Sequence, residues 1–163
     1  MAMDMYMVLE NISGESKDKI YGPKKAIDVL AWSWGMSQSG SFHSGGGGGA
    51  GKVNVQDLSF TKWVDNSSPT LMQHIATGKH IAKGTLIVRK AGGTPLEYIK
   101  IKLNDVMVAS LTTGGSGGED RLTENVTLNF AEVEFDYVPQ KSDGSGGTEV
   151  EFKYNIAEND AQK

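Results

Sequence analysis

The chain has 163 residues, 38% of them hydrophobic, with 16 Lys and Arg against 20 Asp and Glu and no cysteine. That length supports one domain with a real core, and a net charge of −4 without a basic stripe removes the electrostatic basis for nucleic-acid binding. The missing cysteines exclude thiol catalysis, disulfides and Cys-ligated zinc.

No stretch approaches the roughly 20 apolar residues of a membrane helix. The start Met1-Ala2-Met3-Asp4 has neither the basic region nor the cleavage site of a signal peptide, so export by the general route is not expected. Glycine is the outlier: 21 residues, most of them clustered at 45–51, 92–93, 114–118 and 144–147. Clusters of this kind predict long loops between strands.

In chain order, strands are predicted over about 5–12 and 26–37, the second followed by the first glycine run. Val53 and Val55 alternate with polar residues, and Leu58 and Phe60 continue on the opposite parity, which predicts a break near Gln56-Asp57. Asn66-Ser67-Ser68-Pro69 predicts a helix start with a serine N-cap, Leu71, Met72 and Ile75 a short apolar stripe, and Gly78 its C-terminal cap. This is the single predicted helix. A strand over 85–89 follows, then Ile99, Ile101 and Leu103 alternate with polar residues in a segment running to Thr112. Over 122–138 the large apolar residues occupy even positions through Val126, Leu128 and Phe130, then odd positions at Val133, Phe135 and Tyr137, predicting a bulge or bend near Ala131. Val150, Phe152, Tyr154 and Ile156 mark a last strand. The fold class is therefore mainly β: a compact antiparallel barrel of two packed sheets with one short helix.

Catalytic and cofactor signals are weak. Gly46-x-Gly48-x-x-Gly51 matches a dinucleotide fingerprint in form, but a strand follows where a helix N-terminus must stand. Gly114 to Gly118 lacks the Gly-Lys-Ser/Thr of a phosphate loop. His43, His74 and His80 have no metal-ligating spacing and read as surface or loop residues, and Glu119-Asp120-Arg121 reads as a turn or an intersubunit ion pair. No enzyme, cofactor or metal is expected.

Residues 28–41 are unusual. Leu30, Trp32, Trp34 and Met36 form a heavy apolar row, while Val29, Ala31, Ser33, Gly35 and Ser37 form a row of small, uncharged side chains. The heavy row belongs in a core or an interface. The small row either lines a wall that other molecules touch or packs under a second sheet; the pattern alone leaves both open.

This segment, 31–40, together with the glycine run, Gly51 to Lys62 (Gly-Lys-Val-Asn-Val-Gln-Asp-Leu-Ser-Phe-Thr-Lys) and Gly114 to Leu128 (Gly-Gly-Ser-Gly-Gly-Glu-Asp-Arg-Leu-Thr-Glu-Asn-Val-Thr-Leu), closely resembles the haemolysin-coregulated protein (Hcp) family of bacterial type VI secretion. The likeness runs from about Asp4 to Lys141 and takes in Glu15 to Lys19. It implies one Hcp-like β-barrel domain over 1–163, with a flexible extended loop at about 37–52 and a variable tail at about 141–163. It also implies a homo-hexameric ring, stacked rings forming the tube ejected by sheath contraction, a spike protein at the tip, sheath and baseplate partners, and small effector proteins chaperoned in the lumen. The protein would wait in the bacterial cytoplasm and then reach the medium or a target cell without a signal peptide, with no membrane insertion and no nucleic acid.

Within that resemblance Ala31, Ser33 and Gly35 are the expected lumen contacts. Ser41, His43, Ser44, Gly45, Gly46, Gly47, Gly48 and Gly49 are the expected contacts to the next ring. Ring closure would also remove exposed strand edges. The alternative is a monomeric glycine-rich β-sandwich binding carbohydrate or acting as an adhesin, which requires an exposed aromatic platform.

Overall fold

The computed structural model describes residues 3–40, 52–92, 94–158 and 160–162. Its elements are β1 (Met3–Leu9), β2 (Ile27–Ser33), β3 (Met36–Gln38), β4 (Val53–Val55), β5 (Leu58–Trp63), α1 (Ser67–Thr77), β6 (Ile81–Lys90), β7 (Leu96–Thr113), β8 (Thr123–Tyr137), β9 (Val150–Asn155) and β10 (Asp160–Gln162). The main sheet runs β10-β9-β8-β5-β2-β1-β6-β7, and β7 pairs back onto β8. That pairing closes β1, β2, β5, β6, β7 and β8 into an antiparallel barrel, so most strand edges vanish within one protomer without help from a ring.

The closure depends on β8, which changes partners along its length. Its first half pairs with β5, from Trp63↔Thr123 to Leu58↔Leu128, and its second half with β9, from Glu132↔Asn155 to Tyr137↔Val150. The predicted change of parity near Ala131 falls at this handover: Phe130 and Val133 are both buried, and the Ala131 carbonyl accepts from the Ile156 amide at 2.9 Å. Opposite it, β7 changes parity at Asp105, whose φ is 52°, and again at a register shift between Val108 and Ser110. Both kinks turn long strands around the barrel corner. The break near Gln56-Asp57 separates β4, which pairs only with β3, from barrel strand β5.

One hydrophobic core fills the barrel, built on Met7, Leu58, Phe60, Leu71, Leu86, Ile101, Leu103, Val126 and Leu128. Full burial of each such side chain contributes about 1.5–3 kcal/mol. A smaller cluster lies outside it, where the chain between β1 and β2 folds over the outer face of β1 and β6 and buries Tyr6, Tyr21, Ala26 and Ile87. Coverage on both faces explains why Leu86, Ile87, Val88 and Arg89 are all buried in succession. Gly14 is required there, since a Cβ would meet the Ala26 carbonyl oxygen at 2.5 Å.

Helix α1 departs from expectation at its start and on its face. Asp65 does the capping: its Oδ1 accepts from the Ser67 amide at 2.8 Å, while Ser68 Oγ accepts from the Asp65 amide at 3.1 Å. The buried face is Ser67, Ser68, Leu71 and His74, whereas Met72 and Ile75 of the predicted stripe are exposed. His74 is thus an interior residue, its Nδ1 lying 2.8 Å from the Thr70 carbonyl oxygen. Gly78 ends the helix as predicted, at φ 71° with its amide donating to His74.

Candidate functional site: two faces of the barrel wall

The segment of two tryptophans is reorganised by a bulge. Pairing between β2 and β5 runs Val29↔Lys62, then Ala31↔Thr61, Trp32↔Phe60 and Ser33↔Ser59, with the shift at Leu30. Before the bulge odd residues point inward, as buried Ile27 and Val29 show; after it Trp32 and Trp34 pack against the core. Leu30 and Met36 leave the predicted apolar row, each being 37% exposed. The tryptophans therefore supply no exposed platform of the kind a sugar-binding sandwich requires; Trp34 stacks on Phe135 with ring centroids 6.3 Å apart.

The bulge turns Ala31 and Ser33 outward, and strand register extends their row across four strands. Ala31 faces Thr61 and Ser33 faces Ser59; Thr61 faces Asn125 and Ser59 faces Thr127; Asn125 faces Thr112 and Thr127 faces Ser110. Directly opposed residues share a face. The outcome is a continuous surface of alanine, hydroxyl and amide groups. The Thr61 hydroxyl donates to Asn125 Oδ1 at 2.6 Å, and the Ser59 and Thr127 hydroxyls lie 3.4 Å apart. A shallow hollow of about 240 Å³ opens over Ala31, Ser33, Ser59 and Thr61.

Gly35 does not join this surface. It stands at the foot of the β3–β4 hairpin, its carbonyl accepting from the Gln56 amide at 2.9 Å, and a Cβ there would crowd Gln56 Oε1 at 3.1 Å. Ser41, His43, Ser44 and Gly45 to Gly49 lie outside the described residues. The hairpin that leads to them is antiparallel, with Met36↔Val55 and Gln38↔Val53.

Beneath the uncharged surface lies a buried charge network absent from the sequence expectations. Lys62 and Glu124 are opposed across β5 and β8, and both are essentially inaccessible. Lys62 Nζ donates to Glu124 and to Ser68 Oγ at 3.0 Å and lies 3.1 Å from Asp65 Oδ1; Ser68 Oγ also donates to Glu124. The network ties the first turn of α1 to the barrel. Its signal was in the alternation: Lys62 shares parity with Leu58 and Phe60, and Glu124 with Val126 and Leu128. An unpaired charge in such a place costs several kcal/mol, so two charges on apolar positions of adjacent strands call for each other.

The opposite face carries its charge on the outside of the barrel, where Arg89 and Asp136 are nonetheless buried. Arg89 donates to Asp18 Oδ1 at 2.7 Å, to Asp4 Oδ2 at 3.2 Å and to the Tyr6 hydroxyl at 2.8 Å, and its guanidinium lies 5.1 Å from the Tyr6 ring centre. The Arg89 contact holds the Asp18 carboxyl well below its ordinary range, and burial raises the Tyr6 and Tyr21 phenols, each further raised by a carboxylate partner, Asp18 and Glu97. Further along, Lys102 Nζ lies 3.1 Å from both Glu134 Oε2 and Asp136 Oδ2, and Lys153 Nζ 3.5 Å from both Glu134 Oε1 and Glu151 Oε2. Arg121, from the predicted charged turn, lies over the Trp63 ring at 4.5 Å.

Comparison with known proteins agrees with this architecture. The family model described as "Type VI secretion system effector, Hcp" matches residues 6–137. The chain is 60% identical over 161 residues to Protein hcp1 of Pseudomonas aeruginosa, covering 98% of each. Among solved structures, a type six secretion system protein superposes with a TM-score of 0.92 at 30% identity over 99% of this chain and 100% of that one. Hcp1 from Salmonella typhimurium superposes at 0.80 with 33% identity, again over 99% and 100%. The chain therefore belongs to the Hcp family, and is a secreted, non-enzymatic component of the type VI secretion tube.

Proposed function

We propose that six copies close into a ring, that the rings stack into the tube ejected by the contracting sheath, and that the uncharged face of β2, β5, β8 and β7 lines the lumen. The observation that carries this reading is the register-built surface of Ala31, Ser33, Ser59, Thr61, Asn125, Thr127, Ser110 and Thr112. A channel that passes and temporarily holds different small effector proteins is best lined by groups that neither repel a charge nor grip a hydrophobe. Small hydroxyl and amide side chains meet that requirement with little rotamer entropy to lose.

In this arrangement Ala31 and Ser33 contact cargo, and Gly35 sits at the rim beside the hairpin. Ser41, His43, Ser44 and Gly45 to Gly49 make the contact to the adjacent ring. The spike protein occupies the tip of the tube, and the sheath and baseplate surround it. The domain reading is one barrel over 1–163, with a projecting loop at about 37–52 and a tail from about 141.

Negative-stain microscopy of the purified protein tests the ring directly: annular particles with a central hole are expected, and monomers at micromolar concentration overturn it. Ser33→Gln is expected to leave rings intact and reduce effector co-purification; unchanged co-purification places Ser33 away from cargo. Deleting residues 45–49 is expected to spare rings and impair stacking.

A further inference from the structure

The outer ladder of charge holds an imbalance. Three carboxylates, Glu134, Asp136 and Glu151, bring ligand atoms within 4.8 Å of one another, against the two ammonium groups of Lys102 and Lys153. Asp136 is the odd member: it is only 2% exposed, and neither of its oxygens receives a well-directed hydrogen bond, although Lys102 Nζ stands 3.1 Å from Oδ2. Glu134, two residues away on the same strand face, brings a carboxylate oxygen within 4.8 Å but offers only acceptors when ionised. Lys102 Nζ donates to Glu134 Oε2 at 3.1 Å, but the dry carboxylate of Asp136 lacks a well-directed donor. A proton held between the two carboxylates supplies that donor and cancels the surplus charge.

We propose that Glu134 and Asp136 hold one proton between them, and that its loss loosens the β9–β10 flap from β8. The geometry gives the flap this sensitivity. β9 pairs with β8 and with β10, outside the closed barrel; the pairings from Glu132↔Asn155 to Tyr137↔Val150, together with Phe152, Tyr154 and Ile156 packed against the core, attach it to the body. The acid pair sits on that seam, opposite Lys153 and Glu151 of β9 on one side and Lys102 and Lys100 of β7 on the other. Glu132 completes the β8 face and accepts from Asn155 Nδ2 at 3.2 Å and Asn104 Nδ2 at 3.4 Å.

The direction of the effect follows from the two carboxyls. Burial, and then the contact with Glu134, pushes Asp136 up to about 6 from 3.8. Burial opposes ionisation of Glu134 too, but hydrogen bonds from Asp136 and Lys102 hold it below its ordinary range. With the flap attached the pair keeps its proton up to about pH 6; detached, both groups ionise near 4. Attachment is therefore strongest at mildly acid pH and weakens as pH rises through about 6.

Native-state hydrogen exchange on the full-length protein reads this out. After correction for intrinsic exchange, the opening equilibrium of the β9 amides, relative to those of Leu86 to Val88, is expected to rise roughly tenfold from about pH 5 to about pH 8. Asp136→Asn is expected to abolish that rise. A flat wild-type profile, or the same rise in Asp136→Asn, overturns the proposal. Should that variant fail to fold, the carboxyl-carbon resonance of Asp136 in the wild type decides: a midpoint near 6 supports the shared proton, and one near the ordinary 3.8 refutes it.

Discussion

The two faces of this barrel handle charge in opposite ways. On the β2–β5–β8 side the outer surface is uncharged, and the ion pair of that region, Lys62 with Glu124, is turned inward under helix α1. On the β1–β6–β7–β9 side the interior is apolar and the charges lie outside, as the Arg89 cluster and the Lys102–Glu134–Lys153 ladder. The same pleat produces both, because side-chain direction reverses at every residue and each bulge exchanges the faces. Charge that holds the protomer together is thus kept off the surface proposed to meet cargo.

The comparison breaks most readily at the buried pair. Glu124→Ala leaves Lys62 buried against Asp65 alone, and the expected loss is about 3–5 kcal/mol. The double variant Lys62→Met with Glu124→Leu should recover part of it, since the pair itself leaves no buried charge, although Asp65 loses its cation. Urea unfolding of the three proteins checks this; a single-variant loss under about 1 kcal/mol would mean that water reaches the pair.

The outer cluster should yield a smaller effect with a pH signature. Arg89→Gln removes charged hydrogen bonds to Asp18 and Asp4, expected to cost about 2–3 kcal/mol near neutrality. Because Asp18 is held below its ordinary 3.8, its contribution is complete above that value and fades as pH falls below it. The gap in melting temperature between wild type and Arg89→Gln should therefore persist down to about pH 4 and narrow below it. A gap independent of pH would assign the stabilisation to stacking of Arg89 on Tyr6.

The smallest effect on stability is expected where the functional effect is expected to be large. Thr61→Lys on the uncharged face and Lys153→Thr on the charged face should each shift stability by about 0.5 kcal/mol or less, since both positions have water to share. Thr61→Lys should nonetheless make effector retention dependent on salt, measured by co-purification at low and high ionic strength. Equal behaviour of the two variants would erase the functional difference between the faces.

Much of this was legible in the residues. The β class, the single helix, its Gly78 cap and the bend near Ala131 all follow from parity and capping, which are local properties. The helix face differs from the stripe of Leu71, Met72 and Ile75 because α1 is anchored through Asp65 and Ser68 to Lys62, with His74 turned inward. Leu30 leaves the row expected in a core or an interface because a bulge cannot be counted from one strand alone; it exists only in the pairing with β5.

By itself the sequence determined the family, through three long motifs in order, and the two-residue rhythm that fixes which side chains share a face. Only the tertiary structure decided what each face meets. Lys62 finds Glu124, Ala31 and Ser33 join a four-strand surface, and Asp136 meets Lys102 beside Glu134. Alternation along a strand is set within the strand, whereas register and closure are set by partners distant in sequence.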